Sequence, residues 1–229
     1  MTEPPSPRVC AVCGTPARPP FRAPPPELAP DLDLRPGEPT RSTLGRWIAT
    51  CRGCGAAAPD LAALPVEAAA IVRSDAYQAV RATPAAALAF LRWAMLCPPA
   101  QRAEALLQAA WAADDAGDDA AARSFRADAA ACWGEPASLE SALRLVDVLR
   151  RADDLVAADA RAAGLEAAAP DENSARIVGF QRTLIAAGDT GRHLISSALR
   201  PPARMPHVAH GRREPKPGPG RFWKRLFGG

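Results

Sequence analysis

The sequence predicts a mainly α-helical protein, in which a small N-terminal zinc ribbon precedes an antiparallel array of tetratricopeptide-like helical hairpins and a disordered basic tail. Three observations carry that prediction. Two Cys-x-x-Cys-Gly pairs lie in the first quarter of the chain, the composition then turns to Ala, Leu, Arg and Asp with apolar residues three and four apart, and Pro and Arg concentrate at the C-terminal end. The boundaries read as 1–62 for the ribbon, 63–199 for the helices and 200–229 for the tail.

The first segment is rich in breakers, with 12 of the 25 prolines falling in residues 1–40. Cys10-Ala11-Val12-Cys13-Gly14 is followed by Cys51-Arg52-Gly53-Cys54-Gly55, with 37 residues between Cys13 and Cys51. A two-residue spacer lets both thiolates of a pair reach one ion from a tight turn, and the following glycine can take a left-handed conformation that a side chain resists. Two such turns brought together give four-thiolate coordination. One structural zinc ion held by Cys10, Cys13, Cys51 and Cys54 is the expectation, with iron in a rubredoxin-like centre as the second choice. Independent redox dithiols want a strand-helix-strand context that is missing, and a disulfide pair wants a secreted chain. So short and proline-rich a segment holds little apolar surface, so metal binding would supply much of its folding free energy. The run Gly45-Arg46-Trp47-Ile48-Ala49-Thr50 leading into Cys51 reads as a short strand.

From about Val66 the spacing of Leu88, Leu91, Met95 and Leu96 is helical. Of the 229 residues 53 are alanine, so nearly half of the 48% hydrophobic total comes from a strong helix former that buries little area. Breakers at Pro84, Pro98-Pro99, Gly117 and Gly134 divide the region into helices at about 67–82, 85–97, 100–116, 118–133, 138–151, 154–168 and 172–198, the last breaking near Gly188-Asp189. Short turns force neighbouring helices into antiparallel hairpins, because each buries only one stripe. The stretches from Ala116 and from Ala152 look alike and place Ala122 and Ala158 36 residues apart, near the period of a tetratricopeptide repeat.

These motifs resemble a bacterial protein family of uncharacterised function with an N-terminal four-cysteine zinc ribbon and tetratricopeptide-like helices. The likeness spans roughly residues 8–199. It rests on the two cysteine pairs, the acidic and proline-containing spacer with Asp31, Asp33, Pro36 and Pro39, the approach Trp47-Ile48-Ala49-Thr50-Cys51, and Arg150-Arg151-Ala152-Asp153-Asp154-Leu155. Ala11 and Arg52 stand where proline commonly follows the first cysteine, and Asp153 replaces a turn glycine. The resemblance implies a metal-bound, helical, interaction-mediating protein and carries a role across only to the four cysteines.

The remaining chemistry-bearing residues read as structural. Cys97 and Cys132 sit in helical runs as buried free thiols. His193 stands alone in the last helix, and His207 and His210 lack partner ligands. Asp114-Asp115, Asp118-Asp119 and Asp153-Asp154 fall at helix ends, where capping and the macrodipole account for them as solvated charges. Neither paired carboxylates, a nucleophile with its base, nor a phosphate-cradling glycine loop is legible, so no enzyme is expected.

Charge divides the chain unevenly. Overall 28 Lys+Arg face 25 Asp+Glu, but residues 200–229 hold eight of the basic residues and one acid. Any polyanion would meet the tail first. At its tip Phe222, Trp223, Leu226 and Phe227 would share one helical face with Lys224 and Arg225 pointing away, a contact for an anionic membrane surface or a partner groove. The start, Met1-Thr2-Glu3-Pro4-Pro5, has neither the basic nor the apolar region of a signal peptide, and the expected location is the cytoplasm, peripheral at the membrane if the tip anchors. The functional expectation is a zinc-binding, non-enzymatic adaptor that meets an unidentified protein partner through its helices. A nucleic-acid-binding ribbon is the alternative, suggested by Arg8, Arg18, Arg22, Arg41, Arg46 and Arg52.

Overall fold

A computed structural model describes residues 8–168 and 171–199. The chain is mainly helical: a 3-10 turn at Arg41–Arg46, strands β1 (Ala49–Thr50) and β2 (Ala57–Ala58), a second 3-10 turn at Leu61–Ala63, then α1 (Ala68–Arg73), α2 (Asp75–Ala79), α3 (Ala85–Leu96), α4 (Pro99–Asp115), α5 (Asp119–Cys132), α6 (Leu139–Arg151), α7 (Leu155–Ala168), α8 (Glu172–Ala186) and α9 (Ile195–Ala198). Tail residues Phe222, Trp223, Lys224, Arg225, Leu226 and Phe227, with His207 and His210, lie outside the described residues.

Two expected elements differ, and the break expected near Gly188-Asp189 is present. The helix expected at 67–82 is two, because Ser74 takes an extended ψ of 147° and caps α2 by accepting from the Tyr77 N–H. The run Gly45–Thr50 is a strand only at Ala49–Thr50, its front being wound into the 3-10 turn that buries Leu44. The last long helix stops at Ala186, and Gly188 then takes φ +66°.

Successive helices from α3 to α8 pack as neighbours, with α4 central between α3 and α5. That helix buries six alanines, Ala103, Ala105, Ala109, Ala110, Ala112 and Ala113, around Leu107 and Trp111. Small side chains let its neighbours approach closely, which is the packing use of an alanine-rich composition that contributes little area per residue. One apolar core joins Leu44, Ile48, Phe90, Leu107, Trp111 and Val148; a second joins Leu145, Val146, Leu149, Ala158, Ala162, Val178 and Ile185 of α6, α7 and α8.

A single turn geometry recurs three times along the helices. After α4, Gly117 takes φ +73° while Asp118 donates its N–H to the Ala113 carbonyl; after α6, Asp153 takes φ +70° while Asp154 donates to Leu149; after α8, Gly188 takes φ +66° while Asp189 donates to Leu184. The left-handed residue in each closes the helix C-terminus by a six-to-one bond. These positions lie 36 and 35 residues apart, so the two similar stretches visible in the sequence are joined by a third. Asp118 and Asp154 then cap the following helices by accepting from Ala121 and Ala157.

The spacer between the cysteine pairs does not stay with the ribbon. Residues 30–35 run into the helical array, where the Leu32 N–H donates to the His193 carbonyl and the Ile195 N–H to the Pro30 carbonyl. Leu32 packs with Ile177, Leu184 and Ile195. Leu34 takes φ +62° in the turn that follows, a conformation costly for a leucine and held by its neighbours Asp33 and Arg35, both about 1% exposed or less.

Candidate metal centre

Two turns of the same construction carry the four cysteines. In the first, the Cys10 N–H donates to the Thr15 carbonyl and the Gly14 N–H to the Cys10 carbonyl, both at 2.8 Å. In the second, the Cys51 N–H donates to Ala56 at 2.8 Å and the Gly55 N–H to Cys51 at 2.9 Å. Gly14 and Gly55 both take φ +74°, a conformation that explains the glycine after each pair. The second turn closes the β1–β2 hairpin, in which Ala49 pairs with Ala58 and Thr50 with Ala57.

The two turns face one another. Cys10 Sγ lies 3.9 Å from Cys54 Sγ and Cys13 Sγ 3.5 Å from Cys51 Sγ, and all four sulfurs lie within 4.8 Å of one another. A tetrahedral ion with metal–sulfur bonds of about 2.3 Å separates its sulfurs by about 3.8 Å, so the donor set and the spacing fit a metal ion. All four sequence-predicted ligands are thus brought together, Cys10 and Cys51 on the buried side and Cys13 on the exposed side. Gly53 allows the close approach: a Cβ there would stand 2.3 Å from Thr15 Oγ1 and 3.2 Å from Cys13 Sγ.

The thiols are differently disposed to ionise. Hydrogen bonding from the Thr15 hydroxyl and N–H lowers the Cys13 thiol to about 6, whereas burial pushes Cys54 up to about 12 and raises Cys10. A metal ion would bind the thiolates and must displace the protons that Cys10 and Cys54 retain.

Tyr77 braces the second turn from the helical side. Fully buried, it accepts from the Ala57 N–H at 3.0 Å and donates to the Gly55 carbonyl at 3.2 Å. Burial pushes its phenol up to about 12, and the Arg92 guanidinium lies 5.4 Å from its ring centre. Cys10 and Cys51 pack in one apolar cluster with Leu61, Leu64, Val72, Tyr77 and Leu96.

The second cluster of charged chemistry was not foreseen, because Asp114-Asp115 read as solvated and Asp33 only as part of the acidic spacer. Asp33 is 0% exposed and accepts from Trp111 Nε1 at 2.8 Å and from Arg151 Nη1 at 3.2 Å, with Arg126 Nη2 at 3.6 Å. Burial raises its carboxyl, but the Arg151 and Arg126 guanidiniums and the indole N–H outweigh burial and leave it at about 2. Asp114, expected in solvent, accepts from both Arg126, at 3.0 and 2.5 Å, and Arg151, at 2.9 Å, and Asp115 pairs with the buried Arg35. A further buried pair joins Arg150 Nη2 to Asp147 Oδ1 at 2.6 Å, and Arg150 also donates to the carbonyls of Asp189 and Gly191. The available signal was Arg150-Arg151 beside the apolar stripe Leu145-Val148-Leu149; Asp31–Leu34 folds as a tight turn, the Leu34 N–H donating to the Asp31 carbonyl, and offers no periodic pattern.

Of the other candidates, Cys97 is buried but Cys132 is exposed, the α5 C-terminus leaving it outside the core. His193 bonds Asp189 at 2.8 Å and meets Phe180 edge-on. Among the N-terminal arginines, Arg8 pairs with Asp60, Arg41 with Asp31, and Arg46 lies 4.1 Å over the Phe21 ring. No protein family, curated protein or solved structure matches the chain. What fold and site define together is a helical-hairpin protein with a four-cysteine cluster fit for a metal ion.

Proposed function

We propose that this protein is a zinc-stabilised, non-enzymatic adaptor whose helical-hairpin surface holds another protein. The observation supporting it is the closed arrangement of Cys10, Cys13, Cys51 and Cys54, which uses every position of a tetrahedral ion and leaves none for substrate or water. Zinc fits four thiolates without redox chemistry, and the resemblance to a ribbon-plus-hairpin family favours the same ion and a tetratricopeptide-like reading of the three repeated turns. The spacer between the cysteine pairs threads the helical array, so the ion also fixes the frame that presents the outer helix faces. A groove of about 470 Å³ between α6 and α7, lined in part by Pro136, Leu139, Ala142 and Leu165, is the surface offered for a partner's apolar residues. The tail tip from Phe222 to Phe227 supplies a second contact, to a partner groove or an anionic membrane.

The test uses Gly164, which lines that groove and where an added Cβ meets nothing within 4 Å. The Gly164→Glu variant should melt as the wild type does yet lose a protein that the wild-type chain retains in affinity capture. Identical capture by both chains would remove the groove from the account. Salt-sensitive binding to DNA or RNA, with no protein retained, would replace the adaptor by the nucleic-acid reading.

A further inference from the structure

We propose that the cleft between the first turns of α5 and the Thr190–Arg192 loop binds a compact oxyanion, either inorganic phosphate or the phosphoryl group of a small polar molecule. The cleft has a volume of about 530 Å³ and is lined by five guanidiniums, those of Arg41, Arg123, Arg126, Arg151 and Arg192. Arg126 and Arg151 are buried, and their positions are fixed by Asp33 and Asp114. The Nε atoms of both are buried without a hydrogen-bond partner, an unusual state for a nitrogen of a charged group.

The rim is less satisfied than the floor. Arg41 Nη1 and Arg192 Nε share the single carboxylate of Asp31, at 2.9 and 3.0 Å, which leaves terminal guanidinium nitrogens of both for another acceptor. Arg123, exposed on α5, makes no ion pair among the described residues. Against these stand Asp114, Asp115 and Asp119 in the lining. Adding the partners behind the wall, Asp31, Asp33 and Arg35, leaves one positive charge in excess. Guanidiniums present paired N–H groups that match phosphate oxygens. Ala122 is the one apolar side chain of the lining, so the cleft offers no wall for an apolar body and selects a small, polar anion.

The experiment titrates the metal-loaded full chain with inorganic phosphate by calorimetry, at ionic strength held constant with chloride. Saturable binding with Kd below about 1 mM is expected, weakened about tenfold or more in Arg123→Gln, which loses one charge-assisted contact. The Arg176→Gln variant, altered on α8 at an exposed pair with Glu172, should bind as the wild type does. Arg123 has no ion pair to lose, so its variant should keep the wild-type melting temperature without phosphate. A parallel titration with glycerol phosphate, a phosphomonoester on a small polar body, separates the sources: tighter binding than phosphate assigns a phosphoryl group on a small molecule, and weaker binding assigns the free ion. Absence of saturable phosphate binding up to about 10 mM, or equal affinity in Arg123→Gln and wild type, overturns the proposal.

Discussion

The indole Nε1 of Trp111 donates to the carboxylate of Asp33 at 2.8 Å, joining the spacer of the cysteine-bearing segment to the C-terminal half of α4 across 78 positions of sequence. The bond lies in a site where one aspartate faces two arginines, so the ribbon's own linker completes the charge balance of the helical core. The cysteine-bearing segment and the helical array are therefore held to each other by buried polar chemistry as well as by apolar contact.

Replacing Asp33 by Asn should be costly. It keeps the shape but removes the charge between Arg126 and Arg151, and breaking a buried pair from one side costs roughly 3–5 kcal/mol. Urea unfolding at pH 7 measures the loss. The folded-state carboxyl lies at about 2, below its ordinary 3.8, so the folded state binds fewer protons than the unfolded one between these values and stability falls as pH falls through them. The gap between wild type and Asp33→Asn should thus be full above about pH 5 and shrink towards pH 2. A gap independent of pH would show that the charge of Asp33 contributes nothing.

Asp153 offers a test in the opposite direction. It takes φ +70° where the equivalent turns have Gly117 and Gly188, and its side chain is exposed. Asp153→Gly removes a left-handed penalty of roughly 1–2 kcal/mol and adds unfolded-chain entropy of roughly 0.4–1 kcal/mol. A rise in Tm of about 1–3 °C is expected by calorimetry; a fall would mean that the Asp153 carboxylate stabilises the turn in a way its exposure conceals.

Tyr77→Phe separates bracing from ligation. The variant keeps the ring in its apolar cluster but leaves the Ala57 N–H and the Gly55 carbonyl without their partner, at a cost of about 1–3 kcal/mol. It should bind the same amount of metal as the wild type and surrender it faster to a chelator. Unchanged release would place the turn's rigidity in the β1–β2 hairpin alone.

The cysteine cluster and most helices were legible because their signals are local. A two-residue cysteine spacing, a following glycine and a breaker between apolar stripes each act within one turn, as at Cys13-Gly14 and Ala116-Gly117-Asp118. The Asp33 cluster was hidden for the opposite reason. Nothing within ten residues of Asp33 tells that Arg126 and Arg151 lie beside it, and an aspartate among prolines reads as solvated spacer. Asp114 misled in the same way: it sits at the end of α4, where a solvated acid is usual, but Arg126 and Arg151 claim its carboxylate. The third repeat escaped because Ala187-Gly188-Asp189 leads into the loop to α9 instead of a full helix, although its closing bond matches those at Gly117 and Asp153.

Elemental analysis of the purified chain beside its Cys51→Ser variant decides whether the four cysteines hold a structural zinc ion. About one zinc per wild-type chain is expected, and in the variant loss of the ion together with a lower melting temperature, since an ion held there would anchor both ends of the segment that carries Asp33. Zinc absent from the wild type, or iron in its place, would contradict that expectation.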